Sequence, residues 1–134
     1  MHTIQEPIRI GVIGAGGMGT SHAVAMKTLH RARVVAVADS DEERGHKLAG
    51  AIAVPWFADY KQMIEADEID AVSIASPPFL HKEMAITAAA AGKHIFCEKP
   101  MSVNVADCEA MIQAAERAGV TLGTVCKRSP RARG

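Results

Sequence analysis

Near the amino terminus a run of β-branched and apolar residues, Ile8–Ile13, leads without a break into Gly14-Ala15-Gly16-Gly17-Met18-Gly19. This is the spacing G-x-G-x-x-G between a strand and a helix, and it constrains the fold more than any other feature of the chain. Each glycine has a separate physical duty: Gly14 permits a tight turn, Gly16 has no Cβ and lets a pyrophosphate approach the backbone, and Gly19 lets the helix lie close on the strand. Ala15, Gly17 and Met18 complete the loop, and the amino end of the following helix offers free N–H groups and a partial positive charge to an anion. On its own the spacing is a flexible glycine turn as readily as a phosphate loop, so its surroundings decide.

Those surroundings alternate strand and helix signals throughout. After the helix Met18–Leu29, the apolar strand Val34–Ala38 ends at Asp39. Asp41 caps a helix running to about Ala49, Val54–Phe57 is a short strand broken by Pro55, and Asp59 caps a helix to about Ala66. Ala71–Ala75 is a strand stopped by Pro77 and Pro78, Phe79–Ala91 a helix closed by Gly92, and His94–Cys97 a strand. Asn104 caps Val105–Ala118, which ends at Gly119, and Val120–Val125 is the last strand. Six strands joined by helices predict an α/β Rossmann fold, a doubly wound parallel sheet in the order 3-2-1-4-5-6 with helices on both faces. Residues 1–126 read as one dinucleotide-binding domain, and the basic tail Lys127–Gly134 as loose chain.

In that context Asp39, 25 residues after Gly14, is placed to accept hydrogen bonds from the adenosine ribose, with Ser40 beside it. Read alone, Asp39 is a helix cap, although Asp41 is better placed for that duty. A carboxylate at this point repels a 2′-phosphate, and the sequence Ser40-Asp41-Glu42-Glu43 offers no immediate cation to receive one. The expected cofactor is therefore NAD, with NADP disfavoured.

Composition narrows the partners. Fifteen basic and fifteen acidic side chains leave zero formal charge, so no field attracts nucleic acid or an anionic membrane. The apolar run Ala85–Ala91 is far shorter than a membrane span, and Met1–Pro7 is too polar for a secretory leader. Cys97, Cys108 and Cys126 form no C-x-x-C pair and fit reduced thiols in the cytoplasm. His94 and Cys97 lie an odd number of residues apart on one strand, face opposite ways, and make no metal site.

With these residues placed, the chain resembles the amino-terminal domain of the glucose–fructose oxidoreductase, inositol dehydrogenase and rhizopine-catabolism (Gfo/Idh/MocA) family. The likeness rests on the glycine loop, on Ile69-Asp70-Ala71-Val72-Ser73-Ile74-Ala75-Ser76-Pro77 followed by His81, and on Ala91-Gly92-Lys93-His94-Ile95-Phe96-Cys97-Glu98-Lys99-Pro100, and it extends to about Val125. It implies that Ser76 and Pro77 line the nicotinamide side of the cleft and that His81 stands beside it. It further implies that Glu98 positions a strand end, that Lys99 points to substrate and nicotinamide as the catalytic group, and that Pro100 follows a cis peptide. Without the resemblance, Lys99 is a solvated lysine and His81 a first-turn surface histidine.

Family members continue into a second α/β domain that holds substrate, whereas this chain reads Cys126-Lys127-Arg128-Ser129-Pro130 and then a short basic stretch. The expectation is a truncated oxidoreductase moving hydride between nicotinamide and a sugar- or polyol-like hydroxyl. Its substrate needs a second domain, and the chain alone turns over little or not at all. A free-standing NAD-binding regulatory module without catalysis remains the alternative. The last strand, as a bare sheet edge, is expected to make the chain a homo-oligomer.

Overall fold

The computed structural model describes residues 7–27, 31–66, 68–98 and 104–125. Six strands form one parallel sheet: β1 (Ile8–Ile13), β2 (Ala32–Ala38), β3 (Trp56–Phe57), β4 (Ala71–Ile74), β5 (His94–Glu98) and β6 (Leu122–Val125), in spatial order β3-β2-β1-β4-β5-β6. Between them run α1 (Gly17–Lys27), α2 (Glu42–Ile52), α3 (Tyr60–Glu65), α4 (His81–Ala90) and α5 (Val105–Ala118), with a single 3-10 turn, Pro78–Leu80, leading into α4. This is the doubly wound Rossmann arrangement anticipated from the sequence. The outer end of the expected first helix, the expected cis bond before Pro100, and the tail Lys127–Gly134 lie outside the described residues.

Strands buried on both faces supply two cores. Val12, Val37, Ala23, Leu48 and Ala49 join β1 and β2 to α1 and α2 on one face. Ile13, Val72, Ile74, Ile95, Cys97, Met63, Met84 and Met111 join the sheet to α3, α4 and α5 on the other. Near-continuous apolar strands are the signature of a sheet covered on both sides. Between Ile10 and Gly11 the pairing with β2 slips by one residue, from Val34 to Ala36, so Val35 is an extra residue, and Val35 and Ala36 both pack on the core toward α3 and α4.

Several boundaries differ from the sequence reading for identifiable reasons. β3 begins at Trp56 rather than Val54 because Pro55 has no N–H to donate; its carbonyl still accepts from Val37 N–H at 3.1 Å. Helix α2 runs past Ala49 to Ile52 and closes on Ala53, a left-handed non-glycine residue at φ 60° whose N–H bonds back to Ala49 and Gly50. The turn Pro78–Leu80 delays α4 to His81, since Pro77 and Pro78 fix the approach. The predicted caps form: Asp41 accepts from Arg44 N–H, Asp59 from Lys61 N–H and Asn104 from Asp107 N–H.

At the amino ends of the strands Arg9 makes a two-pronged contact with Asp70, at 3.1 and 3.0 Å, and fixes β1 to β4. Hydrogen bonding to Arg9 holds the Asp70 carboxyl below its ordinary value despite partial burial. The opposite, carboxyl ends of β1, β2, β3 and β4 are left to build a site.

Candidate functional site: a dinucleotide cleft

A cleft of about 470 Å³ opens across the carboxyl ends of the strands. The glycine loop forms its floor. Gly14 sits at φ 101°, a left-handed conformation that turns the chain out of β1, and its N–H donates to Ala38 O at 2.8 Å. A Cβ on Gly19 would fall 1.6 Å from the Gly14 carbonyl oxygen, so the helix sits against the strand end as only glycine allows. A Cβ on Gly16 or Gly17 would meet nothing, and Gly16 lines the cleft. The packing of the fold therefore does not require glycine at Gly16. Met18, 47% exposed, is the second residue of α1.

Asp39 stands at the end of β2 and is locked to the loop. Its Oδ2 accepts the Ala15 N–H at 2.7 Å, and its Oδ1 accepts the Asp41 N–H at 2.8 Å and a guanidinium N–H of Arg44 at 3.2 Å. Burial works to push this carboxyl up. The two backbone donors and Arg44 outweigh it, and the group stays ionised below its ordinary range. The Asp39 carbonyl is also held, by the Trp56 indole N–H at 3.0 Å. Trp56 lies so close to α2 that a Cβ on Gly45 would stand 2.1 Å from its Nε1. Ser40 lies in the cleft wall next to Asp39.

Arg44 went unseen in the sequence reading. The cap at Asp41 starts α2 there, and one turn of helix brings the side chain five residues back to Asp39. Among the described residues lining the cleft it is the only lysine or arginine. Tyr60, also in the wall, has a buried hydroxyl with no hydrogen-bond partner among the described residues.

The structure disposes the remaining predicted residues unequally. Ser76 and Pro77 line the cleft at the end of β4. His81 does not: it is 1% exposed, turned under that corner, with Nε2 2.6 Å from the Ser76 carbonyl and Nδ1 3.0 Å from Cys97 Sγ. The pattern that satisfies these groups has Nε2–H donating to Ser76 and the Cys97 thiol donating to Nδ1. Its contact is thus with the turn that lines the cleft. Burial pushes the Cys97 thiol up to about 12, so it is an inert core group. Glu98 ends β5 and points to the α1 face, where His22 meets it. Lys99 and Pro100 lie outside the described residues. His94 Nδ1 accepts from Thr121 N–H at 3.0 Å, on the face opposite Cys97.

Known proteins share this arrangement. The profile of the Gfo/Idh/MocA oxidoreductase family, NAD-binding Rossmann fold, matches residues 8–125. The chain belongs to that family. Myo-inositol 2-dehydrogenase of Thermotoga maritima is 40% identical over 118 residues, which are 87% of this chain and 35% of that protein. The WlbA dehydrogenase from Bordetella pertussis, solved with NADH and UDP-GlcNAcA, superimposes with a TM-score of 0.88 at 32% identity, over 93% of this chain and 38% of that one. Biliverdin reductase from Synechocystis, solved with biliverdin and NADP+, gives 0.83 at 29% identity, over 88% and 37%. The chain therefore spans about a third of the length of the relatives it matches, and that third is the NAD-binding Rossmann domain of Gfo/Idh/MocA oxidoreductases. Among the described residues no helix is long and apolar enough to cross a membrane.

Proposed function

We propose that this chain holds NAD(H), in preference to NADP(H), for an oxidoreductase that moves hydride between the nicotinamide and a hydroxyl of a sugar- or polyol-like substrate. The observation that carries the reading is the bond from Ala15 N–H to Asp39 Oδ2 at 2.7 Å. It joins the phosphate loop and the ribose acceptor into one preformed unit spaced for an adenosine diphosphate. The cofactor when bound supplies the hydride acceptor. The chain supplies the rest: α1 directs its free N–H groups at the pyrophosphate, Asp39 and Ser40 receive the ribose hydroxyls, and Ser76 and Pro77 wall the far end. Lys99, the residue after β5, is assigned as the group that hydrogen-bonds the substrate hydroxyl and takes or returns its proton.

Two further expectations belong to this reading. Among the described residues β6 is an edge of the sheet, and a sheet edge favours self-association into a homo-oligomer. Sedimentation at ~100 μM, where pairing worth about −6 kcal/mol is visible, should show a dimer or larger species, and a clean monomer defeats this part. Cys97 and Cys108 as reduced thiols fit the reducing cytoplasm.

The test is titration of the chain with NADH, read by nicotinamide fluorescence, beside Gly16→Val. The wild-type chain binds. The variant keeps native circular dichroism, because the new side chain enters open space, and loses binding, because that space is where the pyrophosphate lies. A variant that binds normally shows that the loop is not the phosphate site.

A further inference from the structure

On the α1 face of the sheet, away from the cleft wall, three polar side chains from three elements meet. Ser73 lies in the middle of β4, fully buried among Val72 and Ile74. Glu98 ends β5 with its side chain 15% exposed, and His22 reaches them from α1, 10% exposed. His22 Nδ1 is 3.1 Å from Ser73 Oγ and its Nε2 is 3.1 Å from Glu98 Oε2. Because Val72, Ile74, Ile95 and Cys97 fill the opposite core, alternation turns Ser73 and Glu98 together toward α1. Gly19, His22 and Ala23 share one helical face at spacings of three and four, so the close approach that Gly19 permits delivers the imidazole to the sheet.

Nothing in folding alone calls for a hydroxyl and a carboxylate in this place, where apolar side chains would fill the space without needing partners. What the three do is mechanical. The helix that begins at the phosphate loop is tied through one imidazole to the last residue of β5. Lys99 is the next residue in the chain. We propose that His22 is a positioning residue for the nicotinamide end of the cleft, fixing the end of β5, the strand that immediately precedes Lys99 in the sequence, against the helix that receives the pyrophosphate. This rests on the reading that Lys99 serves the nicotinamide. Facing His22 among the described residues are the carboxylate of Glu98 from β5 and the neutral hydroxyl of Ser73 from β4.

The experiment compares NADH with ADP-ribose, which shares the adenosine and pyrophosphate but lacks the nicotinamide. Calorimetric affinities for both are measured on the wild-type chain and on His22→Leu, Glu98→Ala and Lys99→Ala, with circular dichroism to confirm folding. His22→Leu is expected to weaken NADH about five- to tenfold, the scale of one lost hydrogen bond's positioning, and ADP-ribose by less than about twofold. Glu98→Ala breaks the same tie from the strand side and must reproduce that pattern, which keeps the test intact should His22→Leu not fold. A merely structural role lowers melting temperature and leaves the ratio of the two affinities unchanged, and that result overturns the proposal. If Lys99→Ala changes the ratio while the other two do not, His22 does not position the site and this inference alone falls. If Lys99→Ala leaves the ratio unchanged, the assignment of Lys99 to the nicotinamide fails, and the inference falls with it.

Discussion

Asp39→Ala is the most informative single change at the adenosine end. The carboxylate has about four acceptor positions, and three are filled by Ala15 N–H, Asp41 N–H and Arg44. Two ribose hydroxyls therefore compete with the longest and most exposed of these, the 3.2 Å bond to Arg44, whose side chain is 57% exposed. A 2′-phosphate in place of a hydroxyl sets a second anion about 4 Å from the carboxylate, which costs about 4 kcal/mol per unit charge at an effective dielectric near 20. Arg44 and solvent offset much of this, leaving a preference for NADH over NADPH of about 1–3 kcal/mol, about ten- to a hundredfold. Asp39→Ala should bring the two affinities close together. It removes the repulsion and the ribose acceptor and releases Arg44 to face the phosphate; Arg44→Ala should widen the gap instead. Loosening of the loop at Ala15 affects both ligands alike and cancels in the ratio. Calorimetry with NADH and NADPH at fixed ionic strength measures the ratio for all three proteins. Equal or tighter NADPH binding by the wild-type chain, or an unchanged ratio in Asp39→Ala, refutes the reasoning.

Gly19→Ala forces a methyl to 1.6 Å from the Gly14 carbonyl, so α1 must move off the strand. About 1–3 kcal/mol of stability should be lost together with NADH binding, and a variant that melts and binds like wild type contradicts the packing described. Asp39 and Asp70 both have folded pKa values lowered from the ordinary one. Their contribution is full above an unfolded value of about 3.9 and is lost as pH falls through the folded values. Urea midpoints should therefore drop between pH 5 and pH 3, less so in Asp70→Asn, and midpoints that do not move with acid would refute it.

Much of this architecture is legible in the residues because each signal is local. Ile8–Ile13 and Ala71–Ile74 are apolar runs between turn residues, Asp41, Asp59 and Asn104 are caps with the helix directly behind them, and the glycine loop declares its neighbours. What escaped has a common physical source: the direction of a side chain depends on helix phase and strand face, which spacing along the chain does not record. Arg44 looked distant from Asp39 until one helical turn folded it back. His81 was expected beside the cleft, yet the turn Pro78–Leu80 starts α4 with that residue pointing into the core. Ser73 gives no sign of its contact in the sequence, because its partner sits 51 residues earlier on α1. Ala53 closes α2 without the glycine that usually announces such an end.

Trp56 is the only tryptophan in the chain, and its indole N–H is committed to the carbonyl of Asp39, with the His46 ring 4.3 Å away on α2. The protein thus carries its own optical reporter, wired to the backbone of the residue assigned to the ribose. Adenosine arriving there perturbs the indole emission whatever lies at the other end of the ligand. Reduced nicotinamide absorbs where tryptophan emits and adds a second quenching by energy transfer. Two signals from one native fluorophore then separate occupancy of the adenosine half of the cleft from occupancy of the nicotinamide half, with no label attached.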